Sequence, residues 1–504
     1  VSRQQRLTLV ATILGSTVVF LDSTVVNVAL PAIAKGLDAG LAGQQWVVEA
    51  YMLTLVSLLL VGGSLGDQFG RRRMFVFGLV GFGVTSALCA VAPSVGFLTA
   101  ARALQGVTGA LLVPGSLAIV AATFEGAARG KAVGTWTAWT GIATVIGPAG
   151  GGALVGLTSW RAIFWVNLPL IAATVALTMH AVGESRDPDA FRGIDLPGIL
   201  LSAAGLGGPV FALIEQPSRG WGDPVVWIPF VAGLACLALF VLREARARHP
   251  MLDLGLFRIR NFAVTNMTTL STYAGLIGGL FFVGLFLQQV AGYSPLEAGL
   301  ATTPISLILF FLSPRWGRLA SGTGPRLPMT AGPIVGGLGL LLLLRVGSGA
   351  DYVSEVLPAI LVFGLGLSAT VAPLTATVLD SVEERHVGIA SGVNNGVSRV
   401  AGLLAIAVLG AVVSARFAAL APGVSGGPLT ANAAAASTSA FHLGVAIAGI
   451  LMIVGGIVSA LGIENPRRTV SAIPSRGSAQ AGECGHGAEA DCSPATPEPA
   501  GEPA

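Results

Sequence analysis

The chain has 504 residues, of which 53% are hydrophobic and only 11% charged, and its mean hydropathy is +0.78. A soluble globular protein carries about 25% charged residues, so a soluble enzyme with one large core, a disordered chain and a nucleic-acid binder are all excluded. The net charge of +3 is too small to imply a polyanionic partner. Glycine fills 69 positions, about twice the usual share, which suits membrane helices packed closely on small residues. Cys89 and Cys236 lie in apolar stretches and Cys484 and Cys492 in the tail, with no disulfide framework or zinc spacing. Cys484, His486 and Cys492 read as a chance assortment of tail residues, so no metal is expected. The composition is that of an all-α polytopic membrane protein.

A helix needs about 20 mainly apolar residues to cross the hydrocarbon core. Such windows lie near 7–32, 44–65, 74–92, 96–122, 131–156, 161–183, 194–214, 225–242, 262–290, 297–314, 328–346, 355–378, 389–415 and 438–462. The first carries Asp22 and is too long for a cleavable signal peptide. Pro197 and Pro209 interrupt the seventh window, and the eighth is short. The organisation expected is an N-terminal six-helix bundle over 1–183, a two-helix insert with a cytoplasmic linker over 184–261, and a C-terminal six-helix bundle over 262–463. The Gly-, Ala-, Pro-, Ser- and Glu-rich tail over 464–504 cannot bury enough apolar surface to offset its ordering entropy, so disorder is expected there.

With the N-terminus placed in the cytoplasm, 21 basic residues fall in cytoplasmic segments and 5 in outer ones, while Arg102 and Arg399 lie inside spans. By the positive-inside rule both termini are then cytoplasmic, and the number of spans is even. Lys35 and Lys131 are the only lysines among 28 basic residues, a bias of GC-rich genomes, so the expected location is a bacterial plasma membrane.

The connection between the second and third windows reads Gly63-Ser-Leu-Gly-Asp67-Gln-Phe-Gly70-Arg71-Arg72-Arg73. Gly70 permits a tight turn, and Asp67 can meet the arginines or a helix N-terminus. This loop resembles the signature of the major facilitator superfamily, with Gln68 standing where arginine is usual. Leu21-Asp22-Ser-Thr24-Val-Val-Asn27-Val-Ala29-Leu30-Pro31 resembles the first-span motif of the fourteen-span drug:proton antiporters of that superfamily. Ala143-Thr-Val-Ile-Gly147-Pro148-Ala-Gly-Gly151-Gly152 resembles their span-five antiporter motif, with Ala143 in place of glycine. Trp160-Arg161-Ala-Ile-Phe164-Trp-Val-Asn167-Leu-Pro169 is similar to the opening of their sixth span. The resemblance implies a major facilitator fold, with two six-helix bundles and two extra helices between them.

Pro148 lacks a backbone donor and loosens its helix, and Gly147, Gly151 and Gly152 admit a close neighbour. Packing alone explains them, and the resemblance adds a hinge or seal between halves. Gly63, Asp67, Gly70, Arg71, Arg72, Gly147, Pro148, Gly151 and Gly152 are therefore the gating candidates.

Ionisable groups at membrane depth cost about 2.5–3.5 kcal/mol on insertion scales. Asp22 lies about 15 residues into the first span, or about 22 Å, while Glu49 and Arg102 lie near the outer ends of the second and fourth. All three therefore share a depth. Thr8, Thr12, Ser16 and Asp22 form a polar stripe on one helix, and Arg102, Gln105, Gly109 and Ser116 another; such stripes are expected to face a wet cavity. An acid balanced between burial and a nearby arginine can exchange a proton as that cavity switches sides. A static Asp22–Arg102 or Glu49–Arg102 pair is the alternative.

Leu98-x-x-x-Arg102-x-x-Gln105-Gly106 is similar to the span-four motif implicated in proton transfer. Glu49, two residues before Tyr51, resembles the acid of multidrug and quaternary-ammonium exporters, so it is read either as a proton carrier or as a contact for cationic substrate. Asp22, Arg102 and Glu49 are the proton-coupling candidates. Glu49, Asn27, Gln105, Gln288, Gln289, Asn395 and Arg399 are the substrate-binding ones. Phe281, Phe282, Phe286 and Phe310 are available to line a pocket, although packing or lipid contact is commoner for such residues.

The expected activity is proton-coupled export of an antibiotic or other amphipathic toxic compound by alternating access. No cofactor is expected beyond the proton-motive force, since the chain has no nucleotide-binding loop. The expected partners are a small amphipathic substrate, protons and the lipid bilayer, with a monomeric chain and no nucleic acid. Export of an endogenous metabolite, lipid or siderophore is the alternative. A membrane enzyme or sensor is remote: His180, His249, His386 and His442 are scattered, and no signalling domain is visible.

Overall fold

The computed structural model describes residues 2–124, 126–186, 195–247, 254–382, 387–422 and 431–465, which are helical and contain no strand. The first half comprises α1 (Arg3–Leu37), α2 (Leu41–Phe69), α3 (Arg71–Ala90), α4 (Val95–Gly109), α5 (Leu112–Thr123), α6 (Gly126–Leu157), α7 (Ala162–Trp165) and α8 (Asn167–Ala181). An insert of α9 (Leu196–Arg219) and α10 (Pro224–Glu244) follows. The second half comprises α11 (Arg260–Gln289), α12 (Pro295–Thr323), α13 (Arg326–Leu342), α14 (Leu357–Asp380), α15 (Val387–Leu420) and α16 (Ala431–Gly462). The tail from 466 onward, with Cys484, His486 and Cys492, lies outside the described residues.

Twelve helical segments are long and apolar enough to cross a membrane, or thirteen if α2 is counted as one span across its bend. In α6 the apolar stretch among the described residues is Ile146–Leu157. Two predicted spans are each built from two helices, and proline explains both breaks. The ring of Pro114 crowds the carbonyl of Ala110, where α4 gives way to α5, and Pro169 does the same to Trp165, where α7 ends. The bend of 56° in α2 falls between Leu59 and Val61, beside the Gly62-Gly63 pair that weakens a helix against bending. Pro197 interrupts nothing: it sits in the first turn of α9, behind an Asp195 side chain that caps Gly198, where its missing donor is harmless.

In the first half, α1 packs against α6, α8 and α5, and α2 against α4. In the second, α11 packs on α16 and α15, and α13 on α14 and α16. The insert is a hairpin in which Gly208 and Gly233 bring α9 and α10 close, and α9 lies on both α2 and α15. The outer side of α10 is exposed through Trp227, Ile228, Val231, Leu234 and Leu239, as a lipid-facing surface requires. Across the halves, α6 packs on α12 and α2 on α15.

Side-chain bonds tie the helix ends together. Gln5 donates to Thr123 O and Thr8 to Ala181 O, while Arg326 donates to Ala460 O and Arg260 pairs with Glu464. These contacts, with Arg71–Arg73 and Arg243, mark an arginine-rich end of the bundle. The opposite end carries three hydrogen bonds between halves: Gln288 Nε2 to Val28 O at 3.0 Å, Gln289 Nε2 to Gln44 Oε1 at 3.0 Å and Gln45 Nε2 to Ile406 O at 2.9 Å.

Candidate functional site

The two polar stripes are buried inside the first half instead of facing water: they meet at Ser16–Ser116 and Asp22–Arg102, while Thr8 donates to Ala181 O of α8 and Thr12 to Leu9 O of its own helix. Thr8, Thr12, Ser16, Asp22, Arg102, Gln105 and Ser116 are all buried. Ser16 and Ser116 are bonded Oγ to Oγ at 2.7 Å, and Trp136 Nε1 donates to Ser16 at 3.2 Å. The wet-cavity expectation is corrected: these buried groups find partners on neighbouring helices or on their own backbone, which costs less than leaving them unpaired in an apolar interior.

At the centre of this seam Arg102 Nη1 donates to Asp22 Oδ2 at 2.5 Å and to Gln105 Oε1 at 2.7 Å, while its Nε donates to Val47 O at 3.1 Å. The guanidinium lies over the Tyr51 ring, 4.1 Å from its centroid. Asp22 Oδ1 accepts from Gln105 Nε2 at 3.2 Å and from Asn167 Nδ2 at 3.3 Å. Asn167 also donates to Ser86 Oγ at 3.0 Å, and Ser86 to Phe164 O at 3.0 Å. The charges are thus paired and also hydrogen-bonded, the condition under which a buried pair persists. Gln105, a candidate substrate contact, is enclosed in this cluster.

Glu49 does not join it. Val47 and Tyr51, which touch Arg102, lie on one face of α2, and Glu49 falls on the opposite face with Ala42, Trp46, Leu53 and Val56 by helical spacing. Those four pack against Leu206, Val210 and Ile214 of α9 and Leu403 and Ala407 of α15. Glu49 is 0% exposed, and neither carboxyl oxygen has a hydrogen-bond partner. A shared depth therefore did not mean a shared cavity, and the expected trio resolves into a pair and a solitary acid. The alternative of a Glu49–Arg102 pair is overturned by the same geometry.

The span-five motif sits where both halves meet. A Cβ on Gly147 collides with Thr24 Oγ1, and one on Gly151 comes within 2.7 Å of Val25 Cγ1, so these glycines admit α1. Gly152 abuts the carbonyl of Pro295 and Gly299 that of Pro148, so the other face admits α12. In the signature loop Gly70 has φ 108°, and Arg71 pairs with Asp67 at 2.7 Å. Glu184, beyond α8, accepts from the backbone N–H groups of Arg72 and Arg73 at 3.1 and 3.2 Å. A carboxylate there caps α3 and suits its positive dipole end. Gly63 lies 3.5 Å, by its would-be Cβ, from Pro114 Cβ.

Of the remaining substrate candidates, Gln288 and Gln289 make the inter-half bonds given above. Asn27 donates to Ser23 O at 3.3 Å, and its buried Oδ1 has no partner. Arg399 stands 5.7 Å from the Phe20 ring, reaching from α15 to α1. Asn395 is exposed, while its neighbour Asn394 donates to Asn266 and Thr269 of α11. Phe281, Phe282 and Phe286 are buried and Phe310 is 54% exposed. Asn167, Ser86, Glu184 and Gln45 were absent from the sequence-derived site. Asn167 lay inside a recognised motif, but a single amide or serine in an apolar helix carries no local signal of its partner. Among the described residues no cluster of three His, Cys, Asp or Glu side chains forms a metal site.

Comparison with known proteins agrees with this architecture. A Stp multidrug resistance protein of Mycobacterium tuberculosis (strain CDC 1551 / Oshkosh) is 38% identical over 82% of this chain and 77% of its own length. The tetracenomycin C resistance and export protein of Streptomyces glaucescens is 34% identical over 81% and 76%. The crystal structure of a bacterial homologue of the human lysosomal transporter Spinster superposes with a TM-score of 0.65 at 14% identity, covering 92% of this chain and 97% of that one. These relatives are transporters and not enzymes. The family model of the Major Facilitator Superfamily matches residues 12–406, and the chain belongs to that superfamily.

Proposed function

We propose that this protein is a proton-coupled antiporter that exports an antibiotic or other amphipathic toxic compound across a bacterial plasma membrane. The observation that carries the reading is the buried Asp22–Arg102–Gln105–Asn167 cluster, an acid and a base enclosed together in a membrane transporter whose relatives are named for resistance. In this reading the chain makes fourteen crossings, including α6, as two six-helix bundles around the α9–α10 insert. The arginine-rich end and both termini are cytoplasmic, and the monomer is the working unit.

Asp22 exchanges its Arg102 contact for a proton when the halves rock about the α1–α6–α12 contact, with Gly147, Pro148, Gly151 and Gly152 as the sliding surface. The Gly63–Arg72 loop holds the cytoplasmic side of the first half, and the glutamine bonds at the opposite end seal the outer side. Asn27, Gln288, Gln289, Asn395 and Arg399 offer neutral and cationic contacts to a passing substrate. Glu49, alone at the seam of α2, α9 and α15, either holds a proton or receives a cation, because an ionised carboxyl without a partner is expensive at this depth.

A proton-motive force on the order of 150–180 mV gives about 4 kcal/mol per proton, which sustains roughly a thousandfold gradient of a neutral compound. No nucleotide is needed. The test is uphill export of a compound panel from proteoliposomes under an imposed pH gradient, for the native chain and Asp22→Asn. The variant is expected to insert but to lose uphill export; unchanged export removes Asp22 from the coupling step. Export of an endogenous metabolite, lipid or siderophore is the second reading, and the same panel separates the two by what is carried.

A further inference from the structure

A cavity of about 560 Å³ lies near the end opposite the arginine-rich connections, between α2, α9, α11, α15 and α16. We propose that it is a ligand site separate from the Asp22 cluster and that it takes an uncharged aromatic amphipath. The proposal rests on the exporter reading and adds an exit-side site, its ligand class and a role for the insert.

The volume falls within the 300–1,000 Å³ range of small-molecule sites. Its walls include Phe282, Phe286, Phe417 and Phe441. The Phe286 and Phe441 rings stack at 4.1 Å and 13°, so they present flat apolar surface that another ring extends. Among the described lining residues no side chain is charged, and the polar groups are the amides of Gln45 and Gln289 and serine hydroxyls. A charged ligand would be desolvated there without a counter-charge, whereas a neutral molecule with one carbonyl or hydroxyl finds both its surfaces matched. Ile214 and Pro217 of α9 close one side. The insert therefore builds a wall that two six-helix bundles alone lack.

The two lining amides also hold the halves together. Gln45 bonds Ile406 O on α15, and Gln289 bonds Gln44 Oε1 on α2. Each amide Nε2 uses one of its two N–H donors between the halves, so a ligand oxygen can accept the second, and a ligand held there bridges groups that part when this end opens.

The test is photolabelling of the full chain in liposomes with benzophenone, a neutral diaryl ketone whose carbonyl accepts a hydrogen bond. Saturable labelling of the Phe282–Gln289 and Val413–Ala418 peptides is expected. Ser414→Trp, and independently Ala418→Trp at the cavity mouth, are expected to lower it by about tenfold. A trimethylammonium-bearing benzophenone is expected to label these peptides far less. Labelling that does not saturate, that spreads evenly over the exposed face of α10, or that survives in both folded tryptophan variants overturns the site; equal labelling by the cationic analogue overturns its ligand class. Saturable labelling without uphill export defeats the exporter reading and leaves the site standing, while export without labelling does the reverse.

Discussion

Asp22 Oδ2 and Arg102 Nη1 meet at 2.5 Å between α1 and α4, with both side chains 1% exposed. Each ion needs the other, because desolvation of either alone is not compensated. The two partners are nevertheless unequal. Without Asp22 the guanidinium keeps Val47 O, Gln105 and the Tyr51 ring, whereas without Arg102 the carboxylate keeps only two amide donors. Arg102→Ala is therefore expected to cost about 3–5 kcal/mol, and Asp22→Asn distinctly less. Thermal unfolding in detergent measures both, and the reverse ranking removes the asymmetry. The double variant Asp22→Asn/Arg102→Gln is expected to regain stability without regaining transport.

Glu49→Gln replaces a carboxyl that bonds nothing with a neutral group of the same shape, so its Tm is expected to stay close to that of the native chain. Its export is expected to lose its dependence on external pH and to fall for neutral and cationic compounds alike, since α15 moving past α2 alters the surroundings of this acid. Loss confined to cationic compounds assigns Glu49 to substrate contact instead.

Two neighbouring glycines of α6 provide a matched pair. A methyl at Gly152 strikes the Pro295 backbone carbonyl, which cannot turn aside, while a methyl at Gly150 meets only Ile146 Cγ2 at 3.8 Å. Gly152→Ala is expected to reduce transport by about tenfold or more, the effect of about 1–3 kcal/mol of overpacking; Gly150→Ala is expected to be silent. Transport assays at matched expression decide, and equal effects of the two remove α6–α12 contact from the mechanism.

At the signature loop, Gly70→Ala is expected to destabilise by about 1–3 kcal/mol. Its φ of 108° disfavours a side chain, and the new methyl would lie 2.7 Å from Glu184 Oε1. Glu184→Gln loses an ionic cap and is expected to cost about 1 kcal/mol. Hydrogen exchange at the Arg72 and Arg73 amides reads both changes. Unaltered protection in Glu184→Gln disposes of the capping role.

Glu184 illustrates how far the sequence reached. The loop from Gly63 to Arg73 was recognisable from its own residues, but its acceptor lies 112 residues further on in an unremarkable stretch after α8. The α4–α5 and α7–α8 breaks were equally legible in principle, since Pro114 and Pro169 act on carbonyls four residues before them. Asn167 was visible as part of a motif and not as a ligand of Asp22.

Hydropathy located the apolar helices, because in a bilayer each crossing segment must satisfy its own backbone locally, and spacing along them set Asp22, Arg102 and Glu49 at one expected level. Which way each polar side chain turns was a matter for the assembled bundle. Lipid and protein interior are similarly apolar, so a helix carries little local mark of the face it presents to a neighbour. Packing alone turned Asp22 towards Arg102, turned Glu49 away into the seam with α9 and α15, and left a cavity beside the insert.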